Sequence, residues 1–520
     1  MKKLIALTLA TVMLFALCAC GENSSVSNKV SYDIPDGKVI PDDAVLNVTI
    51  GSVSSWPYDA NWKVWQYIKE AIGGTVNVTS IPTSEFATKF NLIMASREHF
   101  PDVIGFQGRS NTFSSFCEQG AFVALDDYEE FLADYNAFWD SLPESEQWMR
   151  DTRRGTDGKI YYAPIYGMER ATNIRTWMYR EDIFKKHGLE IPKTIDELYE
   201  VSKELKQLYP DSYPFCLREG FSNINVMGSS WKPNFRYSFY YDFENEKWSY
   251  GTTESEVMYD IVSFLKKMVD EKLMPADFFS INTSTWQELV STDRGFIMPE
   301  YQTRMDFFNS LARSVNPEFT LAAMAPPVAE NGMGVAMVNK YNFDPMGFGV
   351  LNTGNEESIA NAMRYVNWFY SDEGSQTISW GKEGETFEVV DGKKKFILPK
   401  DGDVVKNVYG FQTIGTYLRV DPEAAVAAVS AEQAATTDFI LEYTYPELDP
   451  TLYMSLSVDD AQKISDLSTS LGTFVSENIQ KFVLGQRPLS EWDKFQEELS
   501  GLPINDVLAV YEAAYQSYSK

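Results

Sequence analysis

The side chains capable of covalent or acid/base work are few in kind. The 520 residues include two histidines, His99 and His187, and four cysteines, Cys18, Cys20, Cys117 and Cys216. They contain no G-x-S-x-G elbow, no H-E-x-x-H helix and no G-x-x-x-x-G-K-[ST] loop. His187 directly precedes Gly188 at an apparent helix end, where a cap or dipole role accounts for it. What remains is 74 Asp and Glu. Two carboxylates across a carbohydrate cleft make a glycoside hydrolase or polysaccharide lyase, but among so many acids such a pair is easy to assemble by chance.

Recognition without chemistry has richer material: 12 Trp, 29 Tyr and 33 Phe. A sugar offers apolar C–H faces and a rim of hydroxyls, so its pocket needs aromatic planes and a few fixed donors and acceptors. Trp56 follows Gly51-Ser52-Val53-Ser54-Ser55 at the end of a strand-like run and precedes Pro57-Tyr58, a poor place for a core residue. Trp56 and Tyr58 are therefore expected at a ligand. Trp177, Trp231 in a Gly-Ser-Ser-Trp loop, and Trp380 beside Gly381-Lys382-Glu383-Gly384 are further candidates, with Glu383. The polar candidates are Gln107 and Arg109, and Glu300 with Arg304, each pair following a short strand. Trp62, Trp65, Trp368 and Trp492 sit within helical stripes and are assigned to the core.

These side chains need a scaffold, and the hydrophobic pattern predicts one. Residues 45–50, 76–81 and 102–105 read as strands, separated by helical patterns over 61–72 and around Phe86, Phe90 and Ile93. Strands alternating with helices imply a parallel α/β sheet, with ligand beyond the carboxyl ends of its strands, at 51–58 and 106–110. Thr194 with Glu197, and Thr253 with Glu256, have capping-box spacing. Strands are expected again at 294–298, 319–325 and 346–351, then a helix carrying Ile359, Met363, Val366 and Tyr370, and a helical C-terminus.

The first residues stand apart. Lys2 and Lys3 precede an apolar run over 4–17, the length of a signal-peptide core and short of the ~20 residues a membrane span needs. The run ends in Leu17-Cys18-Ala19-Cys20-Gly21, which resembles the lipobox of bacterial lipoproteins. That resemblance implies cleavage of residues 1–19, acylation of Cys20 (palmitate included), a tether over 20–43 and attachment to the outer face of the cell membrane through lipid alone. The chain carries a formal charge of −29, and losing Lys2 and Lys3 makes the exported form more negative still. Such a surface repels phosphate backbones, which excludes nucleic acid as a partner. Cys117 and Cys216 are open to either reading, one disulfide or two buried thiols.

Several phrases occur in a familiar order: 157–164 (DGKIYYAP), 177–198 (WMYREDIFKKHGLEIPKTIDEL), 370–384 (YSDEGSQTISWGKEG), 388–392 (EVVDG) and the tail 492–515. In this the chain resembles family 1 extracellular solute-binding proteins, in particular the lipoprotein branch serving multiple-sugar and oligosaccharide ABC importers. The resemblance implies a type II, periplasmic-binding-protein-like fold with two α/β lobes, a hinge and an interlobe cleft. By that analogy lobe one holds 44–162 and 325–384, and lobe two holds 163–324 and 385–520. It implies a monomer that binds a carbohydrate, delivers it to permease subunits and catalyses nothing. Some members of this branch carry a calcium loop after the helix that ends here near Leu208. Here only Tyr209-Pro210-Asp211-Ser212-Tyr213-Pro214 follows, too few carboxylates for six to eight oxygen ligands, so no metal and no cofactor is expected. A peptide or other small solute, or a polysaccharide-holding adhesin role, are the alternatives within a binding function.

Overall fold

The computed structural model describes residues 34–96, 99–105, 111–151, 154–155, 157–168, 175–218, 220–330, 332–334, 343–399, 404–443, 450 and 456–518. Cys18, Cys20, Gln107 and Arg109 lie outside them. Pro35–Lys520 forms one compact unit.

In chain order this unit is built on β1 (Val45–Ser52), α1 (Lys63–Ile72), β2 (Thr75–Pro82), α2 (Thr83–Ser96), β3 (Val103–Gly105), β4 (Ala163–Tyr166), β5 (Arg175–Arg180), α3 (Ile195–Leu208) and α4 (Ser255–Asp270). It continues with α5 (Thr283–Ser291), β6 (Ile297–Tyr301), α6 (Thr303–Ala312), β7 (Leu321–Met324), β8 (Phe343–Val350), α7 (Glu356–Trp368), α8 (Val405–Tyr409) and α9 (Val458–Val483). One sheet has five strands in the order β2-β1-β3-β8-β4. In it β1 pairs in parallel with β2 and β3, while β8 runs antiparallel to β3 and β4. A second sheet has the order β6-β5-β7, all antiparallel.

Successive side chains on a strand face opposite ways, and each sheet uses this to hold a core on both sides. Val103 packs with Leu46, Val48, Trp65, Ile68, Phe348 and Tyr365. Its neighbour Ile104 packs on the other face with Phe86, Phe90, Phe122 and Leu351. In the second sheet Trp177, Tyr179 and Ile297 face one core, and Met178 and Met298 face the other. Both faces covered is the condition under which parallel strands are stable. The strands expected from sequence are present, although the one expected at 294–298 is displaced to 297–301.

Local chemistry sets the helix starts. Thr194 Oγ1 accepts from Glu197 N at 3.1 Å while Glu197 Oε2 accepts from Thr194 N at 3.3 Å, the expected capping box at the start of α3. The second expected box is absent: α4 starts after Glu254 without a side-chain cap, and Thr253 Oγ1 donates instead to Tyr250 O at 2.6 Å. Asn282 caps α5 and Asn355 caps α7. Gly188, in the left-handed region at φ 67°, ends the helix that His187 closes, and His187 Nε2 lies 3.0 Å from the Tyr209 hydroxyl.

The packing differs from the expected lobe boundaries in two places. Ala163, Ile165 and Met168 join the first core, because β4 pairs with β8 rather than with the second sheet. Residues 387–428 were expected with the second lobe, yet Phe387, Phe396, Phe411, Tyr417, Leu418 and Val420 bury themselves in the first core. The physical reason is a strand-like junction: Tyr166 N donates to Leu418 O at 2.7 Å and Val420 N donates to Tyr166 O at 2.8 Å. Gly167 (φ 98°) follows, where an added Cβ would lie 2.1 Å from Val420 O, so no other residue fits. The long helix α9 does pack on the second core, through Leu471, Val475, Ile479 and Phe482. Cys117 and Cys216 are buried free thiols in two different clusters. Burial pushes the Cys216 thiol up to about 12, so it is inert at neutral pH.

Candidate ligand-binding site

The carboxyl end of β1 meets α5 and α6, helices packed against the second sheet. After Ser52 the chain makes a tight bridge from Val53 to Trp56. Ser52 Oγ accepts from Tyr58 N at 2.9 Å and fixes the far end of the loop. At its tip Ser55 Oγ accepts from Gln287 Nε2 of α5 at 3.2 Å and from an Arg304 guanidinium nitrogen of α6. The half-buried indole of Trp56 stands edge-on to Phe307 of α6, with ring centroids 5.9 Å apart. Its Nε1 donates to Asn407 Oδ1 of α8 at 2.7 Å, which fixes the ring plane. An aromatic plane, a hydroxyl, two amides and a guanidinium thus converge from elements packed on different cores. That is the inventory a sugar pocket needs.

Beneath them lies a buried charge cluster. Glu300, at the end of β6 and 1% exposed, pairs with Arg218, which is 3% exposed. Burial by itself raises the Glu300 carboxyl, but the Arg218, Arg175 and Arg304 guanidiniums outweigh it and hold the group below its ordinary range. Arg175 lies 4.0 Å over the Tyr301 ring and donates to its hydroxyl at 3.0 Å. Arg218 lies 5.3 Å from the ring centroid of Trp286. Burial, with the repulsion of Arg218 and Arg175 against the pull of Glu300, lowers Arg304 to about 10. The cluster ties the end of β6 to Arg218, and its field reaches Arg304 of α6, whose guanidinium donates to Ser55.

Comparison with known proteins places this geometry in a family. The family model for bacterial extracellular solute-binding proteins matches residues 53–376. The chain belongs to that family. Lipoprotein LipO of Bacillus subtilis (strain 168) is 28% identical over 321 residues, covering 58% of this chain and 57% of LipO, so the match spans little more than half of that protein. The fructooligosaccharide ABC transporter substrate-binding protein FusA of Streptococcus pneumoniae serotype 4 is 22% identical over 98% of this chain and 97% of its own. The crystal structure of alginate-binding protein AlgQ2 without calcium ion superposes with a TM-score of 0.75 at 22% identity, covering 92% of this chain and 99% of that one. The fold is that of the periplasmic-binding-protein-like solute-binding proteins, as expected.

Within this solute-binding protein the candidate residues separate into groups. Trp56 and Arg304 come together, whereas Glu300 is corrected to a buried support beneath them, 1% exposed and paired with Arg218. Tyr58 packs near them but turns inward, edge-on to Trp65 at 5.5 Å, where burial and then Asp59 raise its hydroxyl pKa. Trp177 is corrected to core: it is 0% exposed and stacks on Phe215 at 5.8 Å. Trp231 is likewise core, packed at 5.5 Å against Phe264 of α4. Trp380 is buried in the first core, stacked on Phe396 at 4.8 Å with its Nε1 on Asp421 at 2.7 Å, and the adjacent Glu383 is exposed on the surface. Trp65, Trp368 and Trp492 are buried as expected, and Trp62 packs half-buried against the first core. Ser55, Gln287, Phe307, Lys406 and Asn407 were not singled out from sequence. Ser55 lay inside the segment marked by the strand-end rule; Asn407 is 351 positions from Trp56, and no local pattern links the two.

Proposed function

We propose that this chain is the substrate-binding component of an ABC importer, capturing an oligosaccharide at the Trp56 site and passing it to membrane permease subunits. It binds without catalysis and acts as a monomer. The observation that carries the reading is the convergence of Ser55, Trp56, Gln287, Arg304 and Asn407 from elements of two separate cores. Such a site forms only when the two bodies come together, which is how a hinged carrier couples capture to recognition by its permease. Support comes from the relatives, since FusA binds fructooligosaccharides as an ABC transporter protein and AlgQ2 binds alginate.

In this reading the first lobe holds 40–168 and 348–428, and the second holds 177–324 and 471–504, following the two sets of cores. Cleavage before Cys20 and acylation of that cysteine place the protein on the outer face of the membrane. The extracellular family and the LipO likeness support this. Native mass spectrometry of the protein purified from its own cells tests the reading. A retained species with the mass of an oligosaccharide is expected. A retained peptide, or glycan cleavage products accumulating on incubation, would overturn it.

A further inference from the structure

The Trp56 indole is flanked by two cations. The Arg304 guanidinium lies 5.9 Å from its ring centroid and the Lys406 ammonium 4.9 Å. Arg304 belongs to α6 beside the second sheet, whereas Lys406 belongs to α8, which packs on the first core. Arg304 is 9% exposed, and its Nε is buried without a hydrogen-bond partner. Among the described residues neither cation forms an ion pair. The carboxylates whose fields reach them are held elsewhere: Glu300 by Arg218, and Asp306 by the backbone N–H of Ser430 at 2.8 Å.

A buried cation without a directly bonded counter-charge is costly, and breaking up a buried pair destabilises for the same reason. Arg304 is such a buried cation, held without an ion pair, and the half-buried Lys406 reaches the same aromatic ring from the other lobe; the arrangement is retained at that cost where a ligand supplies negative charge. Resting on the oligosaccharide reading, we infer that the glycan is anionic, with a carboxylate or ester-sulfate group seated between Arg304 and Lys406 and a sugar ring against Trp56. The planar guanidinium suits bidentate recognition of such a group, and the ammonium acts as a point charge. Because the cations come from different lobes, the anion draws them together, and a neutral sugar does not. Burial also lowers both groups, Arg304 to about 10 and Lys406 to about 8, a direction that a bound anion reverses.

The test uses the full chain on an array of matched neutral, uronate-bearing and sulfated oligosaccharides, followed by calorimetry of the best anionic binder against its uncharged counterpart, the methyl ester or the desulfated sugar. The anionic form is expected to bind about 10-fold to 100-fold tighter, the range of one charge-assisted contact. R304Q and K406Q are each expected to weaken the anionic form more than its neutral counterpart and so to erase most of that preference. K406Q, at the less buried cation, keeps the test decisive where R304Q fails to fold. Uronate and sulfate arms separate the two sources of charge. Binding of neutral glycans alone, or a preference untouched by K406Q, overturns the inference and leaves the oligosaccharide reading standing. No binding to any glycan overturns both.

Discussion

Replacing Glu300 with Gln removes the one negative charge within a cluster of three guanidiniums and leaves shape and volume almost unchanged. Glu300 is 1% exposed and Arg218 3%, so neither has water to fall back on. Removing one member of a buried ion pair costs about 3–5 kcal/mol. At roughly 2–4 °C per kcal/mol for a body of about 150–250 residues, the transition of the second lobe is expected to fall by about 6–20 °C at pH 7. The Glu300 carboxyl is held below its ordinary value in the folded protein. Its contribution is therefore complete above the ordinary carboxylate range and lost as pH falls through the folded pKa. The gap between wild type and E300Q should accordingly be widest near neutrality and narrow below pH ~4. Differential scanning calorimetry at several pH values measures both features. A midpoint within about 1 °C of wild type at pH 7, or a gap that does not narrow in acid, would refute the cluster's role.

Other variants separate the site from its scaffold. Trp56→Ala removes a half-buried ring that contacts Phe307 and Lys406, and is expected to weaken oligosaccharide binding in calorimetry by at least ~10-fold with little change in melting temperature. Trp177→Ala and Trp231→Ala act in the opposite sense: each empties a core position and is expected to cost about 3–5 kcal/mol in denaturant unfolding, with binding retained by the fraction that folds. Thr194→Ala deletes one half of the α3 capping box and is expected to cost ~1 kcal/mol by the same assay, with no effect on ligand.

The parts of this protein legible in its sequence are those set by local pattern. The strands from 45 to 105 follow from apolar alternation and turn residues, and their parallel pairing follows from the helices between them. The rule that ligands gather beyond strand ends marked the loop bearing Ser55 and Trp56. Tryptophan exposure was less legible, because glycine and serine around Trp231 and Trp380 read as loops. Loops also bury aromatics when a helix such as α4 lies across them. The packing of 387–428 on the first core was not legible for a similar reason. The chain returns to the first core through a junction at Tyr166 and Leu418, some 250 positions apart, and nothing local announces it. The same holds for the pairing of Arg218 with Glu300, separated by 82 positions.

Hydrogen–deuterium exchange with and without a bound oligosaccharide tests the central claim most directly. Saturating ligand is expected to slow exchange in 51–58, 283–291, 297–307 and 404–410 together, since these segments from both lobes enclose the sugar around Trp56. Protection confined to a single lobe, or lying elsewhere while these four segments exchange as before, would contradict the account.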